Sequence, residues 1–188
     1  MLTVVYGGNV SGKSSLAEKL ATDYYQKKCG ASGSLVYLAT MQDDGSEQAA
    51  ERIAQHRASR KDKGFVTVEC PSDFPVSCTL PEDTSVILLE DLGNLAANEF
   101  FGKAGQVEAQ KVADCVHRIE KELSWLAEQT DHLVIVTNNI FDGGIETDEG
   151  MQRYAQVLGE MNQRLAADCD VFVESVCGLV HVLKGRLP

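Results

Sequence analysis

The chain has 188 residues, 44% of them hydrophobic and 24% charged, with a formal net charge of −11. That length suits one domain over residues 1–188 with a sizeable core, and the composition is that of an ordinary soluble globular protein. The acidic balance argues against nucleic acid as the main partner, because a phosphate backbone needs a basic surface.

An apolar run, Leu2 to Tyr6, opens the chain as a strand and leaves no room for a signal peptide. Gly7-Gly8-Asn9-Val10-Ser11-Gly12-Lys13-Ser14 follows, and helical spacing (Leu16, Leu20, Tyr24) comes next. This is G-x-x-x-x-G-K-[ST] in strand–loop–helix order, a phosphate-binding loop. Gly7, Gly8 and Gly12 are expected to allow backbone angles that a Cβ would forbid, so that N–H groups converge on one phosphate. Lys13 supplies a point charge for the β- and γ-phosphates, and Ser14 a hydroxyl for Mg²⁺. The helix predicted over 13–28 points its positive end at the same anion.

Ser34 to Thr40 reads as a second strand. Thr40, at its C-terminal end, is a candidate site residue if the sheet is parallel, since ligands collect at that edge. A polar helix is predicted over 46–61, where Arg52, His56 and Arg60 recur every fourth residue and share one face. An imidazole there is a potential nucleophile flanked by two guanidiniums; spacing alone favours a plain solvated helix. Val66 to Glu69 is a short strand, and residues 71–81 form a loop holding three of the four prolines. Ser85 to Asp91 is an apolar strand ending in acids, the form whose carboxylate, Glu90, serves Mg²⁺ directly or through water.

A helix over 105–129 carries Val112, Val116, Ile119, Leu123 and Leu126 on one stripe; His117 lies off it and Trp125 reads as packing. Leu133 to Val136 is a buried strand leading to Thr137-Asn138-Asn139. Met151 to Leu165 marks another helix, and Val171–Val176 with Leu179–Lys184 read as a hairpin turning at Cys177-Gly178. His132 and His181 are assigned no chemistry. The six cysteines form no C-x-x-C pair and read as reduced thiols, and no apolar run approaches spanning length. The chain is therefore expected to be cytoplasmic, with no membrane span. Alternating strands and helices predict an α/β, RecA-like P-loop fold: a mainly parallel sheet between helix layers, with a C-terminal antiparallel hairpin.

Several of these stretches together resemble the bifunctional adenosylcobinamide kinase/adenosylcobinamide-phosphate guanylyltransferase family of cobalamin biosynthesis. They are the phosphate loop with Ala17-Glu18, then Tyr37-Leu38-Ala39-Thr40, and Arg52-Ile53-x-x-His56-Arg57-x-x-Arg60 followed by Thr67-Val68-Glu69. Leu88-Leu89-Glu90, Asn98, Val136-Thr137-Asn138 and Gly159-x-x-Asn162-Gln163-x-Leu165-Ala166 complete a match over nearly the whole chain. The sequence departs from the family at Phe65, where Trp is usual, and across 139–156. The resemblance implies that ATP or GTP phosphorylates adenosylcobinamide, and that GMP from GTP is then transferred through a guanylyl-histidine at His56. It implies catalytic His56, Lys13 and Glu90, with Mg²⁺ at Ser14 and Glu90. Nucleotide contacts are implied from Gly7 through Ser14 and from Thr40, Arg52, Arg60 and Glu69. A corrinoid partner and a homo-oligomer, typically a trimer, also follow from it. Two rivals are a small-molecule P-loop kinase with no covalent step and a nucleotide-binding regulatory ATPase that has lost corrinoid chemistry.

Overall fold

The computed structural model describes residues 1–27, 29–42, 63–102, 112–141 and 148–188. The helix expected over 46–61, with Arg52, His56 and Arg60, lies outside the described residues, as does the start of the helix expected from 105. The elements are β1 (Leu2–Gly7), α1 (Lys13–Lys27), β2 (Ser34–Ala39), β3 (Val66–Glu69), α2 (Phe74–Ser77) and β4 (Thr84–Glu90). They continue with α3 (Leu92–Phe101), α4 (Val112–Glu128), β5 (His132–Asn138), α5 (Glu149–Asp168), β6 (Val171–Val176) and β7 (Leu179–Lys184).

The described strands form one seven-stranded sheet in the order β3-β2-β4-β5-β1-β6-β7. Every pairing is parallel except β6 with β7. The expected fold is thus observed, with β5 lying between the phosphate-loop strand β1 and the acid strand β4. The hairpin turns in two residues, Cys177 at φ 51° and Gly178 at φ 79°, the left-handed pair that matches the twist of its strands.

Strand alternation divides the core in two. Val4, Val36, Leu38, Ile87, Leu89 and Ile135 pack under α3, α4 and α5, while Val5, Leu35, Tyr37, Leu88 and Val136 pack under α1. Each such side chain is worth about 1.5–3 kcal/mol when buried, so a one-residue slip would move a whole set to the wrong layer. Register therefore places the strand ends, and with them the site.

Two short elements depart from the sequence reading. Residues 71–81 are not all loop, since α2 forms one helical turn there, with Pro75 in its first turn, where a missing N–H costs nothing. The sequence reading assigns no element to α3, a short helix in which Gly93, Asn94 and Asn98 are weak helix formers. Its start is nonetheless capped by Asp91, which accepts the Asn94 N–H at 2.7 Å. His132 opens β5 and stacks on Tyr24, ring centroids 4.9 Å apart. All six cysteines are free, with Cys70, Cys115 and Cys169 buried.

Candidate phosphate-binding and catalytic site

The loop between β1 and α1 is shaped by different demands on its three glycines. Gly12 sits at φ +92°, an angle L side chains rarely adopt, with Gly178 Cα 3.5 Å from where its Cβ would be. Gly7 is needed for space, because a Cβ there would lie 2.5 Å from Ser11 Oγ and 2.7 Å from the Ser175 carbonyl. A Cβ on Gly8 would meet nothing within 4 Å, and its backbone has no left-handed angle. The expectation that all three serve special backbone angles is thus corrected: it holds for Gly12 alone. The left-handed position at the loop tip is instead Val10, at φ 58° with its side chain 91% exposed.

The β6–β7 hairpin braces this loop from behind. Gly178 N–H donates to the Ser11 carbonyl at 2.9 Å, and Ser175 Oγ donates to the same oxygen at 2.9 Å. The sequence reading saw only a hairpin here, because nothing local in 175–178 signals a contact with residue 11. In front, residues 9–15 line a concavity of about 330 Å³. Lys13 is buried and folds back, its Nζ donating to the Gly8 carbonyl at 3.2 Å.

The acid strand arrives as expected. Ser14 Oγ donates to Glu90 Oε1 at 2.6 Å, across 76 residues of chain. Glu90 Oε2 is sealed from solvent and has no hydrogen-bond partner among the described residues. Burial pushes the Glu90 carboxyl up to about 7, the Ser14 hydrogen bond opposes that, and the neighbouring Asp91 adds to it. A hydroxyl and a carboxylate with an unsatisfied oxygen are hard donors that fit Mg²⁺. No cluster of three or more His, Cys, Asp or Glu able to hold a metal occurs among the described residues. That is the expected donor set for an ion that shares its shell with phosphate oxygens and water rather than sitting in a protein cage.

Thr40 comes to the same corner but does not face the cleft. It is fully buried, with its N–H on the Glu90 carbonyl at 3.0 Å and its Oγ1 donating to the Asp91 carbonyl at 2.8 Å. As arranged, Thr40 holds the Glu90–Asp91 corner rather than offering its hydroxyl to a ligand. Glu69 ends β3, exposed, in register with Ala39 and thus on the same sheet edge. Arg52, His56 and Arg60 lie outside the described residues.

Sequence reasoning left other polar contacts at this edge unassigned. Asn138 Nδ2 donates to Asp91 Oδ2 at 2.9 Å, and Asn139 N–H donates to the Gly7 carbonyl at 2.9 Å. Thr137 Oγ1 donates to Asn162 Oδ1 at 2.7 Å, so two stretches quoted separately for the resemblance meet in space. Tyr154 OH donates to the Gly93 carbonyl at 3.2 Å, tying α5 to the start of α3. The acid pair at the end of β4 was the available signal for Asp91.

The arrangement can bind a triphosphate on loop amides and Lys13 and bring an acid pair against it. Comparison with known proteins gives the family. Residues 3–183 match the family described as "Cobinamide kinase / cobinamide phosphate guanyltransferase". The chain is 30% identical over 191 residues to the "Bifunctional adenosylcobalamin biosynthesis protein CobP" of Pseudomonas aeruginosa, covering 99% of each chain. It is 30% identical over 192 residues to the "Bifunctional adenosylcobalamin biosynthesis protein CobU" of Salmonella typhimurium, covering 98% of this chain and all of that one. Among solved structures, the flagellar accessory protein FlaH from Methanocaldococcus jannaschii aligns over 98% of this chain and 78% of its own. Its TM-score is 0.46 and its identity 13%.

Proposed function

This chain belongs to the cobinamide kinase/cobinamide phosphate guanyltransferase family, and on that premise we propose how its residues divide the work. It is a bifunctional enzyme of cobalamin biosynthesis that phosphorylates adenosylcobinamide and then attaches GMP to that phosphate, giving adenosylcobinamide-GDP. The family match over residues 3–183 carries this reading.

In the kinase step, the amides of the 7–14 loop and Lys13 hold the β- and γ-phosphates of ATP or GTP and offset the charge of the transferring group. Lys13 leaves the Gly8 carbonyl to do so, a small cost because that contact is at 3.2 Å. Ser14 and Glu90 would hold Mg²⁺, which supplies charge neutralisation on the phosphate oxygens. In the transferase step, the imidazole of His56 attacks the α-phosphorus of GTP and pyrophosphate leaves. The phosphorylated corrinoid then attacks the same phosphorus, and protonated imidazole leaves. Arg52 and Arg60 would flank the incoming triphosphate, with Glu69 on its sheet-edge side and Thr40 holding the Glu90–Asp91 corner from behind. Residues 1–188 act as one kinase/guanylyltransferase unit, in the cytoplasm, as a homo-oligomer of the trimeric kind. No described helix is long and apolar enough to cross a membrane.

The covalent step separates this reading from a plain kinase. With α-labelled GTP and Mg²⁺, label is expected on the denatured wild-type chain and not on His56→Ala, as an acid-labile, base-stable adduct. Cobinamide phosphorylation should largely survive that substitution. Label on His56→Ala would place the nucleophile elsewhere, and an unlabelled, cobinamide-phosphorylating wild type would leave only a kinase. A wild type that turns over no cobinamide would leave a nucleotide-binding regulator.

A further inference from the structure

We propose that Asp91 accepts the hydrogen bond of the acceptor hydroxyl in the kinase step and takes its proton. The assignment rests on the kinase reading above and adds a catalytic residue to it.

Position is the first argument. Asp91 follows β4 directly, and its Oδ2 accepts from Asn138, whose partner across the sheet is Gly7, the first residue of the phosphate loop. At roughly 4.8 Å per strand, its carboxylate stands about two strand spacings from the loop. A triphosphate seated in the loop presents its γ-phosphate toward Ser14 and Glu90, which are joined at 2.6 Å. The attacking oxygen must arrive in line, opposite the leaving oxygen, and so from beyond Glu90. That path would bring the hydroxyl past Asp91 and Asn138.

Elimination is the second. Five carboxylates stand at or near this sheet edge among the described residues: Glu18 on α1, which is buried and paired with Lys63, and Glu69, Glu90, Asp91 and Glu174. Glu90 is tied to Ser14, Glu69 is two strands beyond β4, and Glu174 is on β6, the far side of the loop. Asp91 is the part-exposed acid beside Glu90 that is not spent on the loop serine; its own partners are the Asn94 N–H and the Asn138 amide.

The third argument is its mounting. A helix cap needs only one oxygen, and Asp91 Oδ1 meets that need by accepting from Asn94 N–H. The Asn138 amide on the other oxygen fixes the carboxylate plane, which capping does not require. The mount is close-packed: a Cβ on Gly93 would lie 2.9 Å from Asn138 Nδ2 and 3.2 Å from Asp91 Oδ1. Each oxygen keeps a free lone pair for a substrate O–H.

The step then balances. The hydroxyl oxygen bonds to the γ-phosphorus, the bond from that phosphorus to the β-phosphate oxygen breaks, and the nucleoside diphosphate leaves. The hydroxyl proton passes to Asp91 and on to water.

The test compares wild type with Asp91→Asn and Asp91→Ser, the second keeping a good helix cap. Adenosylcobinamide phosphorylation by ATP is measured together with ATP affinity by calorimetry and the melting temperature. Both variants should lose at least about 100-fold in kcat, the scale of a lost general base, with KM for ATP and melting temperature little changed. An Asp91→Asn variant at wild-type kcat, or a kcat loss matched by lost ATP affinity and stability, would overturn the assignment and leave Asp91 a cap. If the wild type itself transfers no phosphate to cobinamide, the kinase reading fails first and takes this one with it.

Discussion

The side-chain amide of Asn98 donates to the Thr40 carbonyl at 2.8 Å and, through the same nitrogen, to the Pro71 carbonyl at 2.9 Å. One residue of α3 thus closes the backbone ends that follow β2 and β3 at the edge where the acid corner forms. Asn98→Ala should cost about 1–3 kcal/mol, the penalty of stranding part-buried carbonyls. It should also lower kinase activity more than a distant variant of equal stability does. Urea unfolding beside turnover checks both; unchanged stability would mean water replaces the amide freely.

Glu122 is a buried carboxyl on α4 that accepts the Phe74 N–H at 3.1 Å and shares a hydrogen bond with Glu99. Glu99 in turn pairs with Arg118 at 2.7 Å. Burial first, with help from the neighbouring carboxylates, pushes the Glu122 carboxyl from 4.5 up to about 8. The folded state therefore holds a proton that the unfolded chain releases near 4.5. This contribution to stability is complete below that pH and is lost as pH rises through about 8. Glu122→Gln keeps the acceptor for Phe74 and a permanent donor for Glu99, so it should flatten the fall of melting temperature over this window. A variant with the wild-type slope would show that the proton sits elsewhere.

Glu90→Gln should separate function from stability. Gln still accepts from Ser14, and it removes a charge from a site that burial disfavours. The melting temperature should stay level or rise. Activity should fall at least roughly tenfold, about 1.4 kcal/mol of transition-state stabilisation, and respond weakly to added Mg²⁺. Wild-type Mg²⁺ dependence in the variant would remove Glu90 from the metal site.

Two glycines flank the turn into β2, and they should respond differently to alanine. Gly30 is at φ +62° and a Cβ there would meet nothing within 4 Å, so Gly30→Ala carries only the left-handed penalty, about 1–2 kcal/mol. Gly33 is at φ +77°, and its Cβ would lie 2.2 Å from the Asp83 carbonyl oxygen and 2.3 Å from Ser85 Oγ. Gly33→Ala should therefore cost at least about 3 kcal/mol, since backbone must move as well. Equal losses by calorimetry would mean that the β2–β4 junction yields easily.

Much of this protein was legible in its sequence because the signals are local. The loop needs only consecutive residues 7–14 between a strand and a helix, and the acid strand announces itself by an apolar run ending in Glu90-Asp91. The last hairpin was also readable, with its turn at the expected pair Cys177-Gly178. Helix α3 was not: Leu92, Leu95, Ala96 and Phe100 do recur at helical spacing, but the span is short and Gly93, Asn94 and Asn98 are weak helix formers.

Sequence by itself therefore determined the fold class, the phosphate-binding loop and the identity of the acid strand, each set by neighbouring residues and their periodicity. Only the tertiary structure decided that β5 separates β1 from β4, that Gly7 is required for space and Gly12 for its angle, and that Thr40 is sealed behind Asp91. It also decided which acid meets Ser14 and which meets Asn138, pairings that span 76 and 47 residues. The physical reason is that strand order and register come from packing two apolar layers against one sheet. Contacts at the strand ends inherit that order, and no local pattern encodes it.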